Sequence, residues 1–445
     1  MRTRRAVPLS FAVALVAASC AGSDGAEPVA SEPSDEPDDT APATDEPVST
    51  ETTPEAPAAT EPAATEPGDT DPADTEPGNT EPDVEEPAPE TTAAPVAAVE
   101  YDFSAVGPIV DDFVAERGLN GAGLVVVQRD DGIVHEQYWG EFDADRVSLI
   151  ASSSKMITAG VLLNLDDRGL LDIDAPVADV AEWGSGNPDI TPAQLISNSS
   201  GLVGLFPNPV FPPYICQYIA DGTLQDCAAS IFTTPDDDAD VIAPDSEFRY
   251  GGAQWSVAGA VAEAASGQPF AELVDENFAQ PCGLESLGFN NHFAQIGSGF
   301  DYPVEFEGDP ANLVATDNPN PEGGAYVTAP DYGQLLLMHL RDGMCGDTRV
   351  LSPEALDTMH ADRIGPTYSG EAGEVDTAGG GTGYGMGWWV DRETGRISDG
   401  GAYGSVPWLD LDDGYGAYLV IEADSGTGNE LSGLLEEVVH AAVTT

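Results

Sequence analysis

Lysine is all but missing from this chain of 445 residues: Lys155 is the only one, and arginine supplies the rest of the 14 basic side chains, against 79 acidic ones. The formal charge of −65 opposes phosphate backbones and anionic membrane surfaces, so nucleic acid is excluded as a partner. Long apolar runs are scarce too. Beyond the N-terminal segment nothing approaches the roughly eighteen apolar residues of a membrane span. The five histidines (His135, His292, His339, His360, His440) lack metal-ligand spacing, and no Gly-x-Ser-x-Gly elbow occurs. A metal centre and a Ser-His-Asp triad are therefore not expected, and nothing calls for a cofactor. Asp236, Asp238 and Asp240 with Glu247 imitate part of a calcium loop, but Val241 stands where the sharp turn needs glycine and Pro244 intrudes. They read as a solvated acidic loop, and Asp410, Asp412 and Asp413 as a hairpin turn.

The one retained lysine lies in Ala151-Ser152-Ser153-Ser154-Lys155-Met156, ahead of Val161, Leu162 and Leu165, which continue with helical spacing. Arginine stays protonated at any workable pH, whereas a buried lysine can lose its proton and take one from a hydroxyl. Ser152, three residues earlier on the same helix face, is the expected donor. In the first helical turn its alkoxide, or a tetrahedral oxyanion, meets unpaired backbone N–H groups and the positive end of the dipole. Ser153 and Ser154 are read as small helix residues without a role. An acid-rich, lysine-poor surface is read as a solvated shell suited to high salt; that removes lysines in general and leaves the survival of this one unexplained.

Residues 1–20 read as an export signal: Arg2, Arg4 and Arg5, an apolar stretch to Val16, then Ala17, Ala18 and Ser19 before Cys20. The end resembles a bacterial lipobox, with Ala17 where leucine is commoner, which implies lipidation of Cys20 and a cell-envelope protein facing outward, attached to the membrane through that lipid only. An ordinary cleaved signal is the alternative. Residues 21–98 hold 22 acidic and no basic residues, and Thr60, Thr65, Thr70, Thr75 and Thr80 each precede Glu-Pro or Asp-Pro. Such a segment is expected to be a disordered, extended tether. Residues 99–445 then form one large domain with a net charge near −46. Its four cysteines imply two disulfides in an exported protein; of three connectivities, Cys216 with Cys227 and Cys282 with Cys345 is preferred.

Along that domain the patterns predict a helix over 103–117 and a hairpin of 122–128 with 133–139 around the turn 129–132. The Ser152 helix, helices among Pro- and Gly-rich loops to about 330, and a helix over 332–341 follow. Strands are expected over 385–391, 395–399 and 406–424, the last broken at 412–414, and then a helix over 430–443. Strands from both ends with helices between imply an α/β (α+β) fold: an antiparallel sheet flanked by helices, with an inserted, mainly helical subdomain over roughly 170–330.

Five segments together resemble the penicillin-binding-protein-like serine hydrolases, in particular the branch with class C β-lactamases, family VIII esterases and D-amino peptidases. They are Ser152-Ser153-Ser154-Lys155; Leu170-Leu171-Asp172-Ile173-Asp174-Ala175-Pro176-Val177; the run from Ile190 to Leu202; Phe248-Arg249-Tyr250-Gly251-Gly252; and Gly383-Tyr384-Gly385-Met386-Gly387-Trp388-Trp389. The resemblance covers nearly all of residues 103–445 and implies a β-lactamase/transpeptidase-like fold and an acyl-enzyme on Ser152. Tyr250, at the place of the family's Tyr-x-Asn tyrosine, is implied as a second proton carrier beside Lys155. Two departures stand out. Gly252 replaces the usual asparagine, and the third element, usually Lys-Thr-Gly or His-x-Gly, is Asp399-Gly400-Gly401. Gly401 is expected to let substrate approach, the Ala402 N–H to complete the oxyanion hole with that of Ser152, and Asp399 to repel a substrate carboxylate. The readings that follow are an esterase or amidase/peptidase acting on a small-molecule or peptide/ester substrate, a β-lactamase or D-alanyl carboxypeptidase, or a catalytically degenerate scaffold that binds cell-wall material or a partner.

Overall fold

The computed structural model describes residues 99–205, 211–234, 241–293, 309–364 and 381–444. The export signal with Cys20, the tether and the acidic run 236–240 lie outside the described residues. Strand β1 (Gly121–Gln128) is apolar at consecutive positions. Leu124 and Val126 enter one core layer with Val106, Val110 and Phe113 of helix α1 (Val106–Arg117), whereas Val125 and Val127 enter the other. A strand buried on both faces needs no polar alternation. Strand β2 (Gly132–Gly140) pairs with β1 as the expected hairpin.

The chain continues through β3 (Val147–Leu149), a 3-10 turn (Ala151–Ser154), α2 (Lys155–Asp167), α3 (Pro192–Ile196), α4 (Leu224–Phe232) and α5 (Ala253–Ser266). Next come α6 (Phe270–Val274), α7 (Gln280–Cys282), β4 (Gly288–Phe289), β5 (Ala325–Thr328), α8 (Ala329–Leu340), β6 (Met344–Cys345), β7 (Thr348–Arg349) and α9 (Pro353–His360). The described chain ends with β8 (Thr382–Tyr384), β9 (Trp389–Asp391), β10 (Ile397–Ser398), β11 (Ser405–Asp410), β12 (Tyr415–Val420) and α10 (Ser425–Thr444). A seven-stranded antiparallel sheet has the order β2-β1-β12-β11-β10-β9-β8, so the first and last strands of the domain meet, with Val125 opposite Tyr418. Helix α10 covers the α1 face through Leu431, Leu435 and Val439, and α8 covers the other face, with Tyr332 stacked 4.2 Å from Tyr418. Among the described residues between 170 and 330 helices dominate, but β4 and β5 join β3 in a small second sheet that local patterns do not reveal. Disulfides join Cys216 to Cys227, and Cys282 of α7 to Cys345 of β6.

The expected strand over 385–391 is a strand only at its end, β9. Residues 385–391 read as a single run, yet Gly385 N–H donates to the Trp388 carbonyl and Gly387 adopts φ +81°, so residues 385–388 form the turn of a hairpin between β8, which precedes the run, and β9. Behind it, His339 of α8 and His360 of α9 meet at 2.9 Å between Nδ1 and Nε2, and His339 packs edge-on against Trp388. Burial lowers both, pushing His360 from its ordinary 6.5 down to about 4. The folded pKa thus lies below the unfolded one. The neutral ring contributes full stability above pH 6.5, and that contribution is lost as pH falls toward 4, because only the unfolded chain takes up the proton. Relative to His360→Gln, the wild type is expected to lose about 3 kcal/mol over that interval. Denaturant unfolding of both proteins at neutral and acidic pH measures the difference.

Candidate active site

The link between β3 and α2 is built to present one side chain. Ala151 sits at φ +46°, a left-handed conformation unusual for a residue with a Cβ, and the chain then turns through Ala151–Ser154 into α2. Ala151, Ser153, Ser154 and Lys155 are buried, while Ser152 between them is partly exposed. The two flanking serines, read from sequence as passive, anchor the turn. Ser153 Oγ donates to the Asp399 carbonyl at 2.6 Å and accepts from Ser405 Oγ at 2.9 Å, which ties the turn to the β10–β11 edge. Ser154 Oγ donates to the Ala151 carbonyl and accepts from Ala325 N–H, which ties it to β5. Ser152 lies in this 3-10 turn rather than in α2 itself.

Lys155, fully buried, places Nζ 2.9 Å from Ser152 Oγ. Its ammonium also donates to the Glu322 carbonyl at 3.3 Å, lies 3.7 Å from Glu322 Oε1, and sits 4.8 Å from the Tyr250 ring centroid and 5.9 Å from that of Trp255. The structure therefore brings the Tyr250 ring beside Lys155; that ring stacks on Trp389, 5.4 Å between centroids. The loop that carries it is held by Asn198. The Asn198 carbonyl accepts from Arg249 N–H, and its side-chain oxygen accepts from Gln254 Nε2 and Trp255 Nε1 at the start of α5. The Ser197–Gly201 segment is thus a brace for the tyrosine loop.

Gly252 is where the sequence reading misses most. A Cβ there would lie 1.5 Å from Glu322 Oε2 and 2.3 Å from Gln217 Oε1, so the space of the missing side chain is occupied. The occupant is a buried carboxylate. Burial raises the Glu322 carboxyl, and the Lys155 ammonium works against that rise. Glu322 had no signal of its own: in Asn318-Pro319-Asn320-Pro321-Glu322-Gly323-Gly324 it reads as one more acid in a loop. The indirect signal was the side chain absent at 252 beside a lone cation that needs a counter-charge.

Asp399 requires a correction. It was expected to face substrate and repel carboxylates, but its side chain is fully buried. Burial pushes its carboxyl well above the usual carboxylate range, opposed by Lys155 and by the Met156 N–H. It lies in the interior near the start of α2, not in an open subsite. Gly401 does serve close approach, but to backbone: a Cβ would lie 2.1 Å from the Ile150 carbonyl oxygen. Ala402, partly buried, packs with Leu149, Ala151 and Tyr403 beside the serine turn. Away from this centre, Asp410, Asp413 and His440 bring three possible metal-ligand atoms within 4.8 Å of one another on the β11–β12 turn and α10. Asp410 and Asp413 belong to the acidic β11–β12 turn, and His440 of α10 comes within 3.5 Å of Asp413.

Residues 107–438 match the family model described as Beta-lactamase. Penicillin-binding protein 4 of Amycolatopsis lactamdurans is 26% identical over 342 residues, which are 71% of this chain and 84% of that protein. Esterase EstB of Burkholderia gladioli is 30% identical over 203 residues, 41% of this chain and 50% of that protein. The crystal structure of a penicillin-binding protein homologue from Caulobacter crescentus superposes with a TM-score of 0.59 at 18% identity, over 76% of this chain and 97% of that one, a likeness of fold.

Proposed function

Because the chain belongs to the β-lactamase family of serine hydrolases, we propose that it cleaves small ester or amide substrates through an acyl-enzyme on Ser152. The observation that supports this most is the 2.9 Å contact between Lys155 Nζ and a partly exposed Ser152 Oγ. In the proposed reaction Lys155, as the neutral amine, takes the Ser152 proton as Oγ attacks the carbonyl carbon. That proton is delivered to the leaving group, and Tyr250 and Lys155 then deprotonate the water that releases the acyl group. The N–H groups of Ser152 and Ala402 are proposed to receive the oxyanion.

Among substrates we favour neutral esters and amides over those bearing a carboxylate. The third element, Asp399-Gly400-Gly401, supplies no cation to hold one, and a relative 30% identical is an esterase. The domain is further proposed to act outside the cell membrane, tethered through a lipid on Cys20, which mass spectrometry of the mature N-terminus tests.

The assay is hydrolysis of a short-chain nitrophenyl ester by the full chain at low and high salt, beside Ser152→Ala. Turnover is expected in the wild type, with a loss of about 10³-fold or more in the variant. Equal inertness of two folded proteins would replace this reading with that of a binding scaffold.

A further inference from the structure

The space at Gly252 and the counter-charge of Lys155 are one feature. Glu322 reaches Lys155 twice, through its carbonyl at 3.3 Å and its Oε1 at 3.7 Å, and its Oε2 fills the side-chain space at 252 with no hydrogen-bond partner among the described residues. The loop that supplies it is fixed. Thr158 Oγ1 of α2 donates to the Pro321 carbonyl at 2.7 Å, Asn320 Oδ1 accepts from Gly323 N–H, and Asn320 Nδ2 donates to the Gln217 carbonyl at 3.0 Å. Around Lys155 stand Ser152, Tyr250, Trp255, Glu322 and Asp399; around Glu322 stand Gln217, Tyr218 and Tyr403, the last bonded to His292 at 2.7 Å. Among the described residues Glu322 is the carboxyl with an oxygen within 4 Å of the ammonium; Asp399 makes no such pair with it.

We propose that Glu322 is the positioning residue for Lys155, standing where a side chain at 252 would stand, and that it takes the ammonium's proton so that Lys155 meets Ser152 as a neutral amine. This inference rests on the function proposed above. In a closed site an ion pair and its neutral form hold the same number of protons, so moving one proton from Nζ to the Glu322 carboxylate releases none to solvent. Neutral Lys155 then accepts the Ser152 proton while Oγ bonds to the substrate carbonyl carbon and the carbonyl electron pair moves to oxygen. The reactive state and the resting state share one protonation level.

A distinct pH signature follows. In the wild type, kcat/KM is level with pH for as long as the pair keeps its single proton. Glu322→Gln preserves shape but cannot take the proton, so Lys155 must lose it to solvent. The variant's kcat/KM is expected to fall about 100-fold near neutral pH and to climb about tenfold per pH unit above it, with KM within about twofold. A Glu322→Gln profile of the same shape as the wild type would overturn the proposal.

The single lysine gives a second readout that needs no turnover. With ¹³C-lysine labelling of the full chain, one ε-carbon signal reports Lys155. Its pH dependence is expected to differ between wild type and Glu322→Gln, and coincident curves would overturn the proposal. If the wild type hydrolyses no ester, the functional reading fails on the first assay, and the lysine signal alone decides the role of Glu322.

Discussion

Lys155→Arg is expected to lower kcat/KM for ester hydrolysis by about 10³-fold or more while the protein stays folded. The argument turns on what arginine keeps and what it loses. A guanidinium still offers a cation to Glu322, 3.7 Å from Nζ, and to the buried Asp399, so neither carboxylate is left uncompensated in the interior. It cannot become neutral at workable pH, so it cannot take the Ser152 proton. Its larger head must fit a closed space bounded by the Tyr250 and Trp255 rings, which costs about 1–3 kcal/mol. Loss of activity should therefore far exceed loss of stability. Burst kinetics with the nitrophenyl ester and intact-mass detection of the acyl-enzyme, alongside a melting curve, separate the two. A variant within about tenfold of wild type would remove the neutral-amine argument altogether.

How much of this site was legible in sequence follows from how local each feature is. Ser152 and Lys155 are three residues apart, and one helical turn dictates their meeting. The helices α1, α8 and α10 were legible from their periodic apolar patterns, and the β1–β2 hairpin from two apolar runs on either side of the turn Arg129-Asp130-Asp131-Gly132. Tyr250 lies about a hundred residues from Ser152, and only the resemblance of Phe248-Arg249-Tyr250 to a family element placed it. Glu322 is the opposite case: its partners belong to α2, to Gly252 and to Gln217, all distant in sequence, and its own surroundings are proline and glycine. Asp399 was legible as an oddity but not as a buried one, because the direction of a side chain at a strand end depends on what packs there. The β8–β9 turn failed for a smaller reason: a glycine at positive φ can fold an apolar run back on itself without changing its composition.

Gly252→Asn carries the second large expectation, because it returns to the chain the residue that the family element usually has. In isolation it should do harm. The new Cβ would stand 1.5 Å from Glu322 Oε2 and 2.3 Å from Gln217 Oε1, so the carboxylate must leave its place beside Lys155 or the loop must shift. Overpacking of that kind costs about 1–3 kcal/mol, and displacing the partner of Lys155 should lower kcat/KM by about 100-fold. In a Glu322→Ala background the nearer obstruction is gone and Gln217 Oε1, at the end of a flexible side chain, is the contact left to give way, so the same substitution should be better tolerated, with an amide standing where the carboxylate stood. A double-mutant cycle on unfolding free energy is expected to give an interaction of about 1 kcal/mol or more, favouring the double variant over the sum of the singles. Additive costs would mean that Gly252 and Glu322 do not compete for one space. A non-additive cycle would make the absence at 252 and the buried glutamate two halves of a single substitution, in which a carboxylate replaces an amide beside the chain's only lysine.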